Sequence, residues 1–254
     1  MSSINYQTYG TKDRETILFL HGGGLSGRMW EGVASHLSDY YCIVPDLPLH
    51  GRSRDTGPLT LAHCIEQIES LIKGNTHQGT AHIVGLSLGG AIALGLLRHK
   101  PGMVKSALLS GTSTRLNKLL AMINNLNAPL YNIMPAMTLA KLMAKGFQIP
   151  NQYITELPQE AQVMTASTIR AMTQMLTEIE LPSENKTPLL ALVGDKETRP
   201  AKSAGKQIIQ QVPHSHGRLV PGVGHVWSYQ EPKLFADVID QWIQGRIHPA
   251  LRPF

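Results

Sequence analysis

Short blocks of continuous apolar residues alternate along this chain with longer segments whose apolar positions recur every three or four residues. Residues 16–20, 40–44, 81–84 and 104–109 are blocks of the first kind. They are rich in Ile, Val and Leu, lack polar alternation and end at His21, Pro45, Gly85 and Ser110, which predicts strands buried on both faces. Between them Leu61, Ile65, Ile68, Leu71 and Ile72 share one helix face with Gly74 as a stop, and helices are expected near 29–37 and 88–99. From 112 to 186 no strand pattern occurs. Leu116, Leu119, Leu120, Ile123 and Leu126 fit one helix face there, and Met164, Met172, Met175, Leu176 and Ile179 fit another. Alternation then resumes, with strands at 189–193 and 217–220 and helices near 201–211 and 232–243. Strand–helix alternation with continuous apolar strands predicts an α/β fold, a mostly parallel central sheet with helices on both faces. That core takes residues 1–111 and 187–254, and a helical insertion, 112–186, interrupts it.

Composition narrows this picture. At 254 residues the chain can bury a core without disulfides or metals. Hydrophobic residues at 42% and charged residues at only 16% exclude a long disordered chain, a collagen-like repeat and a coiled coil. The net charge of +5 comes from scattered Lys and Arg, so no nucleic-acid partner is expected. Cys42 and Cys64 sit in apolar patterns and read as buried thiols. The polar start shows no signal-peptide pattern. The longest apolar stretch, 83–97, is broken by Gly85, Ser87, Gly89 and Gly90, which predicts no membrane span. A soluble, cytoplasmic protein without a membrane partner is expected; oligomeric state is not set by these features. Seven of the ten methionines fall in the insertion. Such flexible side chains either shape an apolar pocket or simply fill the insertion's own core.

The chemistry is carried by loops at strand ends. Gly85-Leu86-Ser87-Leu88-Gly89 is a G-x-S-x-G pentapeptide between an apolar strand and a helix-forming run. Its glycines permit a turn tight enough to expose the Ser87 hydroxyl. A serine hydroxyl needs a base, and histidine has the suitable pKa. Of eleven histidines, His225 stands out, in Gly222-Val-Gly-His225 after a strand. His21 and His50 read as structural, and His63, His77, His99, His214, His216 and His248 as ordinary surface or core residues. The imidazole in turn needs an acid. The loop Gly194-Asp195-Lys196-Glu197 offers two carboxylates, and their spacing does not choose between Asp195 and Glu197. His21-Gly22-Gly23-Gly24 follows the first strand; its uncovered N–H groups, with that of Leu88, can form an oxyanion hole. No phosphate-loop pattern and no helical metal-ligand pair occurs, so neither a metal nor a cofactor is expected.

These motifs, with Asp46-Leu-Pro-Leu-His-Gly-Arg-Ser53 and the order Ser, acid, His, resemble those of the α/β-hydrolase family over nearly the whole chain. The resemblance implies that Ser87 is the nucleophile, His225 the general base, and Gly23 and Leu88 the oxyanion amides. The family's acid usually stands three residues after the loop glycine, at Glu197 here, although aspartate is commoner at that place; Asp195 stays as the alternative. The resemblance also makes 112–186 a helical cap over the nucleophile. The expected activity is hydrolysis of a small, apolar carboxylic ester through an acyl-enzyme. Other chemistry on the same scaffold (C–C, thioester or amide hydrolysis, or a lyase step) and a non-catalytic small-molecule receptor are the alternatives. The menaquinone-pathway lyases of the family carry an arginine soon after the nucleophile glycines, where this chain has Ala91-Ile92-Ala93. Dehalogenases and epoxide hydrolases use an aspartate nucleophile, where this chain has Ser87.

Overall fold

A computed structural model gives the structure of the protein and describes residues 3–254. Eight strands form one sheet: β1 (Tyr6–Tyr9), β2 (Thr16–Leu20), β3 (Tyr41–Pro45), β4 (Ala81–Leu86), β5 (Val104–Ser110), β6 (Leu189–Gly194), β7 (Ser215–Val220) and β8 (Arg252–Pro253). Their order is β1-β3-β2-β4-β5-β6-β7-β8. The six inner strands run parallel, and β1 and β8 pair antiparallel at the two edges. The six parallel strands are those expected, each within two residues at either end. Neither edge strand is among those expected. β1 alternates exposed and half-buried residues, and β8 is two exposed residues long.

Every residue of β2, β3, β4 and β6 is buried, because side chains alternate between two covered faces. Ile17, Phe19, Val84, Leu86, Leu190 and Leu192 enter the core on one face. Helices α1 (Glu31–Ala34) and, near the C-terminus, Pro232–Ile243 cover that face through Val33, Phe235, Val238 and Ile239. Leu18, Leu20, Ile83, Leu109, Leu189 and Ala191 enter the opposite core. There they meet α2 (Leu61–Asn75), α3 (Leu88–His99) and the helix Arg199–Gln211. The helix α2 does not stop at Gly74 but runs one residue past it, to Asn75. The helix expected near 29–37 is instead a 3-10 turn, Gly27–Trp30, leading into the four-residue α1.

Between β5 and β6 the chain is helical: α4 (Lys118–Asn127), α5 (Leu130–Ile133), α6 (Ala136–Phe147), α7 (Leu157–Ala161) and α8 (Ala166–Thr177). Arg199–Gln211 and Pro232–Ile243 are then α9 and α10. Of the residues whose spacing predicts one helix face, Leu119, Leu120, Ile123 and Leu126 lie on α4 and Leu116 lies before it; all four on the helix are exposed, and Ala121 is the buried residue of α4. The second face fits better, with Met172, Met175 and Leu176 on α8, but Met164 and Ile179 lie outside that helix. Cys42 and Cys64 are buried free thiols. Among the described residues no helix is long and apolar enough to cross a membrane.

Candidate active site

Ser87 stands between β4 and α3 with φ 52° and ψ −109°. A non-glycine residue held there costs on the order of 1–3 kcal/mol, so the surrounding structure must impose it. It does so by close packing. A Cβ on Gly89 would stand 2.2 Å from the Leu20 carbonyl oxygen. The elbow can therefore press against β2 only if that residue is glycine. The Ser87 N–H is also tied to the Ser110 carbonyl of β5, at 2.9 Å. The result lifts the Ser87 side chain above the sheet at the N-terminus of a twelve-residue helix.

His225 follows β7. Its Nδ1 lies 2.6 Å from Glu197 Oε2. The other Glu197 oxygen, Oε1, accepts the Gly194 N–H at 2.9 Å. Both oxygens are thus occupied, and the carboxylate is almost fully buried while the imidazole keeps an open edge. The Phe147 ring lies against the imidazole, with centroids 5.5 Å apart. Asp195 points elsewhere: its Oδ1 accepts the Gly222 N–H at 2.8 Å and holds the loop that carries His225. The two carboxylates that spacing left undivided are therefore separated by geometry.

Ser87, Gly111, Glu197 and His225 line one cavity of about 400 Å³. The Ser87 hydroxyl and the imidazole share it without a direct hydrogen bond among the described residues. Leu116, Leu120, Phe147 and Ala204 give the cavity apolar wall, and Asn117, Gln148 and Lys196 polar wall. Gly111 was not singled out in the sequence. It has φ +54°, and it allows the imidazole and carboxylate to lie against the end of β5. Its only sequence signal is a glycine directly after a buried strand.

The glycine loop 21–24 is fixed from both sides. His21 Nε2 accepts the Leu47 N–H at 2.8 Å, and its Nδ1–H donates to the Gly22 carbonyl at 2.9 Å. Burial depresses the His21 pKa to about 4 and, together with the neighbouring His21, that of His50 to about 3. Both rings are neutral framework. The Asp46 carboxylate joins the two loops by accepting from Gly27 N and Arg52 N, each at 2.8 Å. Among the described residues neither the Gly23 nor the Leu88 N–H finds a protein acceptor. Met143, Met164 and Met172 pack against Gly23 and Gly24, and no methionine lines the cavity.

One buried and one exposed contact tie the segment after this loop to the insertion. Ser26 Oγ donates to Glu160 Oε1 at 2.7 Å, and Arg28 pairs with Glu156. Burial raises the Glu160 pKa, and its Oε2 finds no partner.

Comparison with known proteins agrees with the fold. A family model described as "Alpha/beta hydrolase family" matches residues 17–238. A protein of Gibberella zeae named as an AB hydrolase superfamily protein is 30% identical over 240 residues, 90% of this chain and 80% of that one. A pimeloyl-[acyl-carrier protein] methyl ester esterase of Sodalis glossinidius is 35% identical over 116 residues, 45% of this chain and 43% of its own length. Among solved structures, a thermophilic esterase from Thermogutta terrifontis superposes with a TM-score of 0.80 at 21% identity, covering 95% of this chain and 93% of its own.

Proposed function

The chain belongs to the alpha/beta hydrolase family, and from that premise we propose that it is a serine hydrolase cleaving a small carboxylic ester through an acyl-enzyme. The observation that carries this reading is the 2.6 Å contact between His225 Nδ1 and Glu197 Oε2 beside a cavity that Ser87 also lines. A carboxylate on Nδ1 holds the proton there and leaves Nε2 free as a base.

In this reading Ser87 Oγ attacks the ester carbonyl while His225 Nε2 takes its proton. The tetrahedral oxyanion is held by the N–H groups of Gly23 and Leu88, both without protein acceptors. His225 then gives the proton to the departing alcohol. Water enters, loses a proton to His225, and releases the acid from Ser87. Glu197 stabilises the imidazolium that forms twice in each cycle, and Asp195 orients the loop beneath it. The helical segment 112–186 acts as a cap whose first helix and Phe147 wall the cavity. The relatives named as esterases support the choice of an ester over other bonds.

A panel of p-nitrophenyl esters of graded acyl length tests the reading. Turnover with an initial burst, absent from Ser87→Ala, is expected. Equal turnover by Ser87→Ala would overturn it.

A further inference from the structure

The insertion that walls the cavity also carries apolar side chains that nothing among the described residues covers. Among the described residues, nine of the ten exposed large hydrophobic side chains lie between 119 and 142. Leu119, Met122, Ile123 and Leu126 stand on α4. Leu130 and Ile133 follow on α5, and Met137 and Leu142 on α6. Leu126 is 71% exposed and Ile133 78%. Full burial of side chains of this size is worth roughly 1.5–3 kcal/mol each, and soluble proteins rarely leave so many together without a partner.

Charge indicates which partner. Residues 112–155 contain Arg115, Lys118, Lys141 and Lys145 and no Asp or Glu. All four cations are exposed, and none pairs with a carboxylate among the described residues. Of the acids that border α4 from the α8 side, Glu180 pairs with Arg98, and Glu178, which accepts from the neutral Gln174, is one carboxylate against the four cations. Large aliphatic side chains flanked by unpaired lysines form the pattern that inserts between acyl chains while cations meet anionic headgroups. A second copy of the chain fits poorly, because a two-fold contact would set the same four cations against each other.

We propose that the α4–α6 face docks on an anionic lipid surface. Leu120 lines the cavity from the same helix that carries Leu119 and Leu126, and Leu116 lines it just before that helix, so docking sets the cavity beside the lipid. Resting on the ester-hydrolase reading, this assigns the substrate class as esters carried in or released from a lipid phase. No spanning helix is needed.

Co-sedimentation with vesicles tests it, using phosphatidylcholine alone and phosphatidylcholine with about a third phosphatidylglycerol. Wild-type protein is expected to bind the anionic vesicles. The triple variant Leu119→Ser, Leu126→Ser, Ile133→Ser should lose binding at least about tenfold. Lys118→Gln with Lys141→Gln should lose about tenfold on anionic vesicles only, and wild-type binding should weaken with salt. Turnover of a water-soluble p-nitrophenyl ester by the triple variant should equal wild type, which shows that it folds. Absence of wild-type binding would overturn the proposal, as would binding indifferent to these substitutions. So would gel filtration showing a dimer that the triple variant dissolves, or an acidic protein seated on this face in place of lipid. Soluble esters hydrolysed while vesicles are ignored would leave the hydrolase reading standing alone; vesicles bound without turnover of any ester would leave docking alone.

Discussion

Gly111 passes so close beneath His225 that a Cβ there would stand 2.7 Å from both Nδ1 and Cε1 of the ring, and 3.1 Å from Glu197 Oε2. The end of β5 thus forms the floor on which the imidazole and carboxylate meet. Gly111→Ala must move the ring or the strand, and it also forces an alanine to φ +54°. The expected outcome is a fall in kcat of at least about a hundredfold, as for other ångström-scale displacements of a reacting group. Gly222→Ala is the control. It too has positive φ, +77°, but meets nothing within 4 Å. It should cost roughly 1–2 kcal/mol of stability and leave kcat near wild type. Thermal unfolding and steady-state kinetics of the two variants check this.

Glu197 and Asp195 divide support of His225 between them, one on the ring and one on the loop. Glu197→Gln is expected to lower kcat by about a thousandfold or more, because the amide no longer holds the proton on Nδ1. Asp195→Asn keeps an oxygen for the Gly222 N–H and should cost less than about tenfold in kcat. Steady-state kinetics on one ester decides the ranking, and the reverse order would move the acid's role to Asp195.

Glu160 gives a pH-dependent prediction. Burial is the main cause of its raised pKa, opposed by the Ser26 hydroxyl and the nearby Arg28 charge. Between the ordinary carboxylate range and the raised value, the folded chain binds more protons than the unfolded one. Stability is therefore lost as pH rises through that window. Glu160→Gln removes the titration while keeping an acceptor for Ser26. It is expected to raise Tm by about 2–4 °C at about pH 8, with the gain shrinking toward about pH 5. Thermal melts of both proteins at the two pH values check the sign.

Much of this was legible in the sequence, for physical reasons that also mark where legibility ends. The continuous apolar runs at 16–20, 81–84 and 189–193 could only be strands covered on both faces, and G-x-S-x-G between a strand and a helix demanded a tight turn. β1 and β8 escaped because edge strands need little burial, and their residues carry no apolar run. Spacing could not separate Asp195 from Glu197. The choice depends on which side chain turns back to the Gly194 N–H and which reaches across to Gly222, a matter of three-dimensional packing. What the α4 spacing leaves open has a different cause. Helical periodicity in Leu119, Leu120, Ile123 and Leu126 reports an apolar face, but it does not say that this chain supplies the cover.

The central claim is that Ser87 is made nucleophilic by His225. Labelling with a fluorophosphonate probe, followed by intact mass and peptide mapping, tests it most directly. One adduct per chain, on Ser87, is expected for wild type, with labelling slowed by orders of magnitude in His225→Ala. An unlabelled wild type, an adduct on another residue, or a His225→Ala protein labelled at the wild-type rate would contradict it.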